Sequence, residues 1–335
     1  GQLGRARYPI PRQSPSQRGD MRPPDRRIAL GFYRTRHSRA ILEAALDRGV
    51  RDLDTAFNYA NFASLELLAG VAGDLLTEFF LSTKVGFFPS PTGNSEHSLD
   101  PTRLRVAIET TADSLGRVPD VVFLHNPERS IRQLGPHAAR NSLDKACHAL
   151  DKAARSGLCG EWGISTWDPR IIVQVLCHGR ELRSSPSHLM HRSGVLASSA
   201  IVEASENLAD LFGVARDRRW GMSPFSGSTR APFWDTVNLA PFLSTQGQHS
   251  SVEAAFRLAY ELPKVGRVAV SVNDPGHLRE LVEATRLGVD RTTIDRYRSV
   301  LRDRQRPARR GGYSAPDSSV TSRSASRVRG SAKSG

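Results

Sequence analysis

Short apolar runs alternate with amphipathic stretches along most of this chain. Arg27–Phe32 reads as a strand, and Ser38–Arg48 carries apolar residues at helical spacing, with Ser38 as N-cap and Gly49 as stop. Val50–Thr55 predicts a strand, Ser64–Leu76 a helix and Phe79–Val85 a strand. Asp100–Leu115 opens on Asp-Pro, which suits an N-cap followed by proline at the first helical position. Val121–His125 is an apolar, β-branched run, and Ser142–Arg155 is helical up to Gly157. Strand patterns recur at Trp162–Ser165, His188–Val195, Arg219–Ser223 and Val268–Val272. Between and after them, helices are expected from Asp168-Pro169 to Cys177 and over Ser198–Phe212, Val252–Glu261 and Leu278–Ala284.

That makes about eight strand–helix units, which favours a parallel sheet closed into a (β/α)8 TIM barrel. A doubly wound sheet usually carries a glycine-rich phosphate loop after its first strand, and no such loop follows Phe32. The barrel is expected over 27–301. Residues 1–26 and 302–335 are rich in Arg, Ser, Pro and Gly without periodicity, and disorder is expected there.

Charge supports the same division. The chain has 335 residues and a net charge of +13. Residues 1–27 hold +5 and 302–335 hold +7, which leaves +1 for the body. The basicity therefore gives no reason to expect the folded part to bind nucleic acid; an RNA-binding role would have to reside in the tails. Three cysteines are too few for a disulfide framework and fit a reducing, cytoplasmic setting. No apolar run is long enough for a membrane span. Cys147, Cys159 and Cys177 lack metal-ligand spacing with histidine, as do His137, His148, His178 and His249, so no metal is expected.

Chemistry in a TIM barrel sits at the C-terminal ends of the strands. The second strand runs into Asp54-Thr55-Ala56-Phe57-Asn58-Tyr59, the third ends in Lys84-Val85-Gly86, and the fourth ends in His125-Asn126-Pro127-Glu128. Singly, each has a bland reading: Asp54 as a helix cap, Lys84 as a rim charge, His125 as a core histidine, Tyr59 as packing. Together they form a coherent set. An ammonium favours the phenolate of a nearby tyrosine, a carboxylate holds the ammonium, and a neutral imidazole directs a substrate oxygen to the phenol. Such a set gives a proton to a carbonyl oxygen or takes one from an alcohol. It lacks an electron source, so a hydride cofactor is implied.

Gly49–Ala56 with Tyr59, Ser82–Gly86, Asp120–Pro127, Gly163–Trp167, Ser223-Pro224-Phe225 with Gly227, and Val268–Ala284 together resemble the aldo-keto reductase family. The resemblance implies a TIM barrel that reduces the aldehyde or ketone of a small organic molecule, such as a sugar or a biosynthetic intermediate, with NADPH and without metal or flavin. It gives Tyr59 the proton transfer, Lys84 the lowering of its pKa, Asp54 the pairing of Lys84, and His125 the orientation of the carbonyl. It assigns the cofactor to Ser165, Thr166, Met190, Met222, Ser223, Phe225, Gly227, Ser271, Asn273 and His277. Several of these depart from the family pattern. Thr166 replaces an asparagine, Met222 a stacking aromatic, and Met190 a glutamine, with His188 or His191 as alternatives to Met190. The cationic clamp for a 2′-phosphate is thinned to Ser271, Asn273 and His277, with Asp274 opposing it, so NADH is an alternative to NADPH. A nucleotide-binding regulatory barrel with little turnover is the second functional reading. The hairpin that commonly closes the barrel bottom is expected to be absent or short.

Overall fold

The computed structural model describes residues 24–177, 179 and 181–305. Strand β1 (Asp25–Gly31) leads into helix α1 (Arg39–Asp47), and β2 (Val50–Asp54) into a short α2 (Tyr59–Phe62) and α3 (Ser64–Ala72). After β3 (Phe80–Val85) comes a hairpin, β4 (Phe87–Pro89) and β5 (Ser95–His97), and then α4 (Pro101–Leu115). Strand β6 (Val121–His125) precedes α5 (Glu128–Ile131) and α6 (Pro136–Arg155); β7 (Glu161–Thr166) precedes α7 (Pro169–Leu176); β8 (His188–Arg192) precedes α8 (Ser199–Phe212). Next are β9 (Arg219–Met222), α9 (Phe233–Thr236), α10 (Ser251–Leu258), β10 (Arg267–Ser271), α11 (Pro275–Ala284) and α12 (Arg291–Gln305). Eight strands close into one barrel in the order β1-β10-β9-β8-β7-β6-β3-β2, every pair parallel. The expected (β/α)8 architecture is thus observed.

Local signals explain the element ends. Asp100 accepts from the Arg103 amide at 2.9 Å, with Pro101 in the first turn of α4. Ser198 caps α8, and Ser250 with Glu253 forms a capping box on α10. Some boundaries differ from expectation. Strand β1 begins at Asp25, within the stretch assigned to the tail, because Asp25 donates its amide to Gly49 O at 2.9 Å and pairs with Arg27 at 2.8 Å. Helix α6 starts at Pro136, six residues early, and α3 stops at Ala72. Helix α12 crosses the expected boundary at 302. It shows little apolar period, but Ile294 is buried and Tyr297 Oη donates to Val195 O at 3.1 Å. The disorder expected at 1–23 and 306–335, and the missing N-terminal hairpin, lie outside the described residues, as does His178.

Two layers fill the barrel. Toward the N-terminal ends of the strands, fully buried Asp52 pairs with Arg26 at 2.6 Å and with Arg267 at 3.7 Å. The Arg267 guanidinium lies 4.2 Å from the Trp220 ring centroid. Above this sits an apolar layer of Phe123, Met190, Trp220 and Ala269. Gly163 lets Phe123 occupy the axis: a Cβ there would fall 2.5 Å from His188 O and 2.8 Å from Phe123 Cδ1. Because the backbone oxygen cannot move aside, Gly163→Ala should lose about 1–3 kcal/mol of stability, or fail to fold, as read by urea denaturation.

Candidate active site

At the C-terminal mouth, three strands bring the tetrad together. Asp54 ends β2, Lys84 is the fifth residue of β3, and His125 ends β6. Lys84 is 1% exposed. Its Nζ donates to Asp54 Oδ2 at 2.6 Å, to Thr55 O at 2.9 Å and to Tyr59 Oη at 3.3 Å. Asp54 Oδ1 accepts from Ser82 Oγ at 2.8 Å. Tyr59 and His125 meet edge to face with ring centroids 6.3 Å apart.

Tyr59 is carried on an uncommon backbone. Ala60, Asn61 and Phe62 all have positive φ (49°, 52° and 68°). A non-glycine residue in this region costs roughly 1–2 kcal/mol. The loop is held from below, where Phe57 packs on Phe62 at 5.7 Å and on Phe88 at 6.4 Å, and Phe57 N donates to Lys84 O at 2.9 Å.

Burial sets the protonation states. It raises the pKa of Tyr59; Lys84 pulls the other way, as the sequence suggests, but does not overcome it. The expected net lowering is therefore reversed in this state of the protein, and the phenol keeps its proton at neutral pH. For Lys84, burial favours loss of the proton, yet the Asp54 carboxylate and the Tyr59 oxygen outweigh it and raise the pKa. His125 lies well below the usual imidazole range, through burial and then the charge of Lys84, and is neutral. Its Nδ1 has no hydrogen-bond partner among the described residues.

The sequence reading missed the walls of the site. The β4–β5 hairpin folds over the mouth and places Phe87 4.9 Å from the His125 ring. His97 bonds His125 O at 2.7 Å and Ser130 Oγ at 2.6 Å through its two ring nitrogens. Gly86, with φ 147°, leaves room for this: a Cβ would lie 2.9 Å from His125 O and 3.2 Å from His97 Nε2. On the other side, Tyr33 from the β1–α1 loop tilts against Tyr59 at 5.3 Å. The Phe-Phe-Pro run was a usable signal for a short strand, but nothing in the sequence placed His97 beside His125.

The residues assigned to a cofactor spread along the rim from β7 to α11. Ser165 sits in register with His125. It is fully buried, and its Oγ lacks a partner among the described residues; the same holds for Asn126 Oδ1. Thr166 is also fully buried, beside Glu128. Ser223 has φ 53° and, like Met222, is partly exposed, while Gly227 is exposed. Ser271 at the end of β10, Asn273 in the following turn and His277 in the first turn of α11 are exposed. Ser271 Oγ donates to Tyr33 O at 3.1 Å, and Asn273 Oδ1 accepts from Arg36 N at 3.0 Å, so both tether the β1–α1 loop. Asp274 accepts from the amides of Gly276 and His277 and caps α11.

Two placements correct the sequence reading. Met190 is fully buried in the apolar layer beneath the site and packs with Phe123 and Trp220 rather than lining the rim. Its alternative His188 bonds Glu161 at 2.8 Å and Trp220 Nε1 at 3.2 Å near the opposite end of the barrel. His191 is buried against Arg192 O at 3.1 Å, and burial brings its pKa to about 4. Phe225 belongs mainly to the core, stacked on Phe256 at 6.1 Å. In the loop 226–248, Trp234 is an anchor, buried and donating to Ser228 O at 2.8 Å, whereas Phe233 is exposed. Among the described residues, no group of three or more His, Cys, Asp or Glu could hold a metal ion, and no helix is long and apolar enough to cross a membrane.

Removing the ammonium leaves Asp54 buried without its counter-charge. Lys84→Met should therefore cost about 3–5 kcal/mol of stability in chemical denaturation. The acid limb follows from the depressed histidines. His125 and His191 have folded pKa values below that of the unfolded chain, so their contribution is complete above about pH 6.5 and fades as pH falls below it, for His191 toward its folded value of about 4. The melting temperature should fall over that window, and more shallowly in His191→Gln than in the unsubstituted protein.

The profile of the Aldo/keto reductase family matches residues 19–184, about half of the chain. No curated protein matches the sequence. Among solved structures, an aldo-keto reductase from Bacillus halodurans in its holo form is similar at 19% identity and a TM-score of 0.63, covering 82% of this chain and 91% of that one. An aldo/keto reductase from Klebsiella pneumoniae in complex with NADP and acetate aligns at 17% identity and a TM-score of 0.56, covering 85% of this chain and 93% of that one. A second Klebsiella pneumoniae structure, in complex with NADPH, gives 17% and 0.57, with 84% and 92% covered. These likenesses show the shared barrel fold, and with the profile match across the first half of the barrel, the chain belongs to the aldo/keto reductase family, a family of oxidoreductases.

Proposed function

We propose that this protein reduces an aldehyde or ketone to an alcohol, with NADPH as hydride donor and Tyr59 as proton donor. The observation that carries the reading is the position of Lys84 Nζ, shared between Asp54 Oδ2 at 2.6 Å and Tyr59 Oη at 3.3 Å. A phenol held protonated by burial has a proton to give at neutral pH. As that proton leaves Tyr59 Oη for the carbonyl oxygen, negative charge develops 3.3 Å from a buried ammonium, where it is strongly stabilised. Asp54 keeps the ammonium charged and in place. Neutral His125 can donate a hydrogen bond to the same carbonyl oxygen and fix its direction.

The nicotinamide cofactor, when bound, supplies the hydride to the carbonyl carbon. The residues of this chain fit such a group. Ser165 Oγ and Asn126 Oδ1 are buried polar atoms without partners among the described residues, a donor and an acceptor suited to a carboxamide. Ser223 and Gly227, with Ser271, Asn273 and His277, would hold the phosphate and ribose oxygens along the rim, and Arg36 stands at the same rim beside Asn273. The Klebsiella pneumoniae relatives, crystallised with NADP or NADPH, favour NADPH over NADH.

Steady-state oxidation of NADPH against a panel of aldehydes and ketones tests the reading. Tyr59→Phe should lower kcat by about 10²–10⁴-fold, with NADPH binding unchanged when followed by tryptophan fluorescence. Equal rates for the two proteins with cofactor bound would show that Tyr59 is not the donor. Tight binding without turnover in either would favour a regulatory barrel, the reading that the departures at Thr166, Met190 and Met222 from the family pattern motivate.

A further inference from the structure

Two arginines flank the catalytic pair, and each lies over an aromatic ring. The Arg129 guanidinium carbon is 5.3 Å from the Phe87 centroid, and Phe87 in turn is 4.9 Å from the His125 ring. Across the mouth, the Arg34 guanidinium carbon is 5.0 Å from the Tyr33 centroid, and Tyr33 is 5.3 Å from Tyr59. Both arginines are exposed. Neither guanidinium makes a hydrogen bond or an ion pair among the described residues, although most neighbouring charges are matched. Asp168 is taken by Arg170 and Arg132, and Glu96 by Arg103. Beside Arg129, Glu128 is buried and accepts from the amides of Trp167 and Asp168, and on the rim beyond the Arg34 loop Asp274 is engaged by the amides of Gly276 and His277. The mouth thus carries uncompensated positive charge on rigid aromatic supports.

A guanidinium over a ring face keeps its N–H edge free for a planar anion, and a carboxylate or phosphate matches that edge with two hydrogen bonds. Arg129 is close enough for its charge to act on both His97 and His125. It has not been drawn into a structural pair, as the arginines at the barrel bottom have. The β4–β5 hairpin is fixed by His97 on His125 O, so Phe87 and the arginine above it keep a set position relative to the reacting carbonyl.

Resting on the proposed carbonyl reduction, we propose that the substrate is an anionic aldehyde or ketone whose carboxylate or phosphate is held by Arg129, with Arg34 facing it across the mouth. The carbonyl lies between Tyr59 and His125, and the charged group lies outward beyond Phe87.

Paired substrates test this: benzaldehyde against 4-carboxybenzaldehyde, and glyceraldehyde against glyceraldehyde 3-phosphate. In the unsubstituted protein, kcat/KM for the charged member should exceed that of its neutral partner at least tenfold, mainly through KM. Arg129→Gln should collapse that ratio by at least fivefold, and Arg129→Lys should restore part of it. Which pair shows the larger ratio distinguishes carboxylate from phosphate. Turnover of neutral and charged members alike, or a ratio unchanged in Arg129→Gln, overturns the proposal while leaving carbonyl reduction intact. If no aldehyde is reduced, the proposed function fails, and calorimetry with benzoate on the NADPH-bound protein still decides this point. Binding lost in Arg129→Gln supports an anion site, and binding absent or equal in both proteins removes it.

Discussion

The site is built around the need to satisfy one buried ammonium. Lys84 has three N–H donors and almost no contact with water. Two of its acceptors, Asp54 Oδ2 and Thr55 O, come from β2 and the residue following it; the third is the hydroxyl of Tyr59. Leaving any of these directions empty would expose a buried charge to a cost of several kcal/mol. Tyr59 therefore completes the lysine's shell as well as facing the mouth. This explains why the chain tolerates three successive left-handed residues after it. The strain of that turn is offset by the hydrogen bond it permits and by the Phe57–Phe62–Phe88 packing underneath.

Burial then acts on Tyr59 and His125 in opposite senses. It raises Tyr59 and lowers His125, and both groups end up neutral near pH 7. The phenol is a donor with its proton in place, and the imidazole is a dipole rather than a competing cation. Lys84 adds to the second effect and counters the first. In the proposed reduction its benefit to Tyr59 is therefore greatest when negative charge appears on the phenol oxygen, an arrangement that would lower a barrier without weakening the resting state.

The barrel and the tetrad could be read from the sequence because both rest on local pattern. Strand periodicity places Asp54, Lys84 and His125 at strand ends, and strand ends in a closed barrel converge. What could not be read depends on contacts between distant segments. The β4–β5 hairpin has only three residues per strand, too short for a period, so His97 gave no hint of its place against His125. Helix α12 shows little apolar pattern because only a few apolar residues, Ile294 and Tyr297 among them, reach the core, beside ion pairs such as Arg298–Glu206. The family resemblance assigns Met190 to the cofactor, whereas packing against Phe123 and Trp220 puts it in the layer below.

That layer gives Met190 a physical role of its own. The barrel encloses two buried charged groups, Asp52 with Arg26 and Arg267 at one end and Asp54 with Lys84 at the other. In a medium of low effective dielectric, such groups interact over long distances unless they are separated or individually neutralised. Here each carboxylate has its own cations, and Phe123, Met190 and Trp220 pack together within the same barrel. A polar side chain at Met190 would need hydrogen-bond partners within this layer, where the Trp220 indole N–H is already committed to His188. An apolar residue at that position needs no such partners and leaves both sets of ion pairs undisturbed. The departure at Met190 is thus accounted for by the filling of this barrel, independently of what the rim binds.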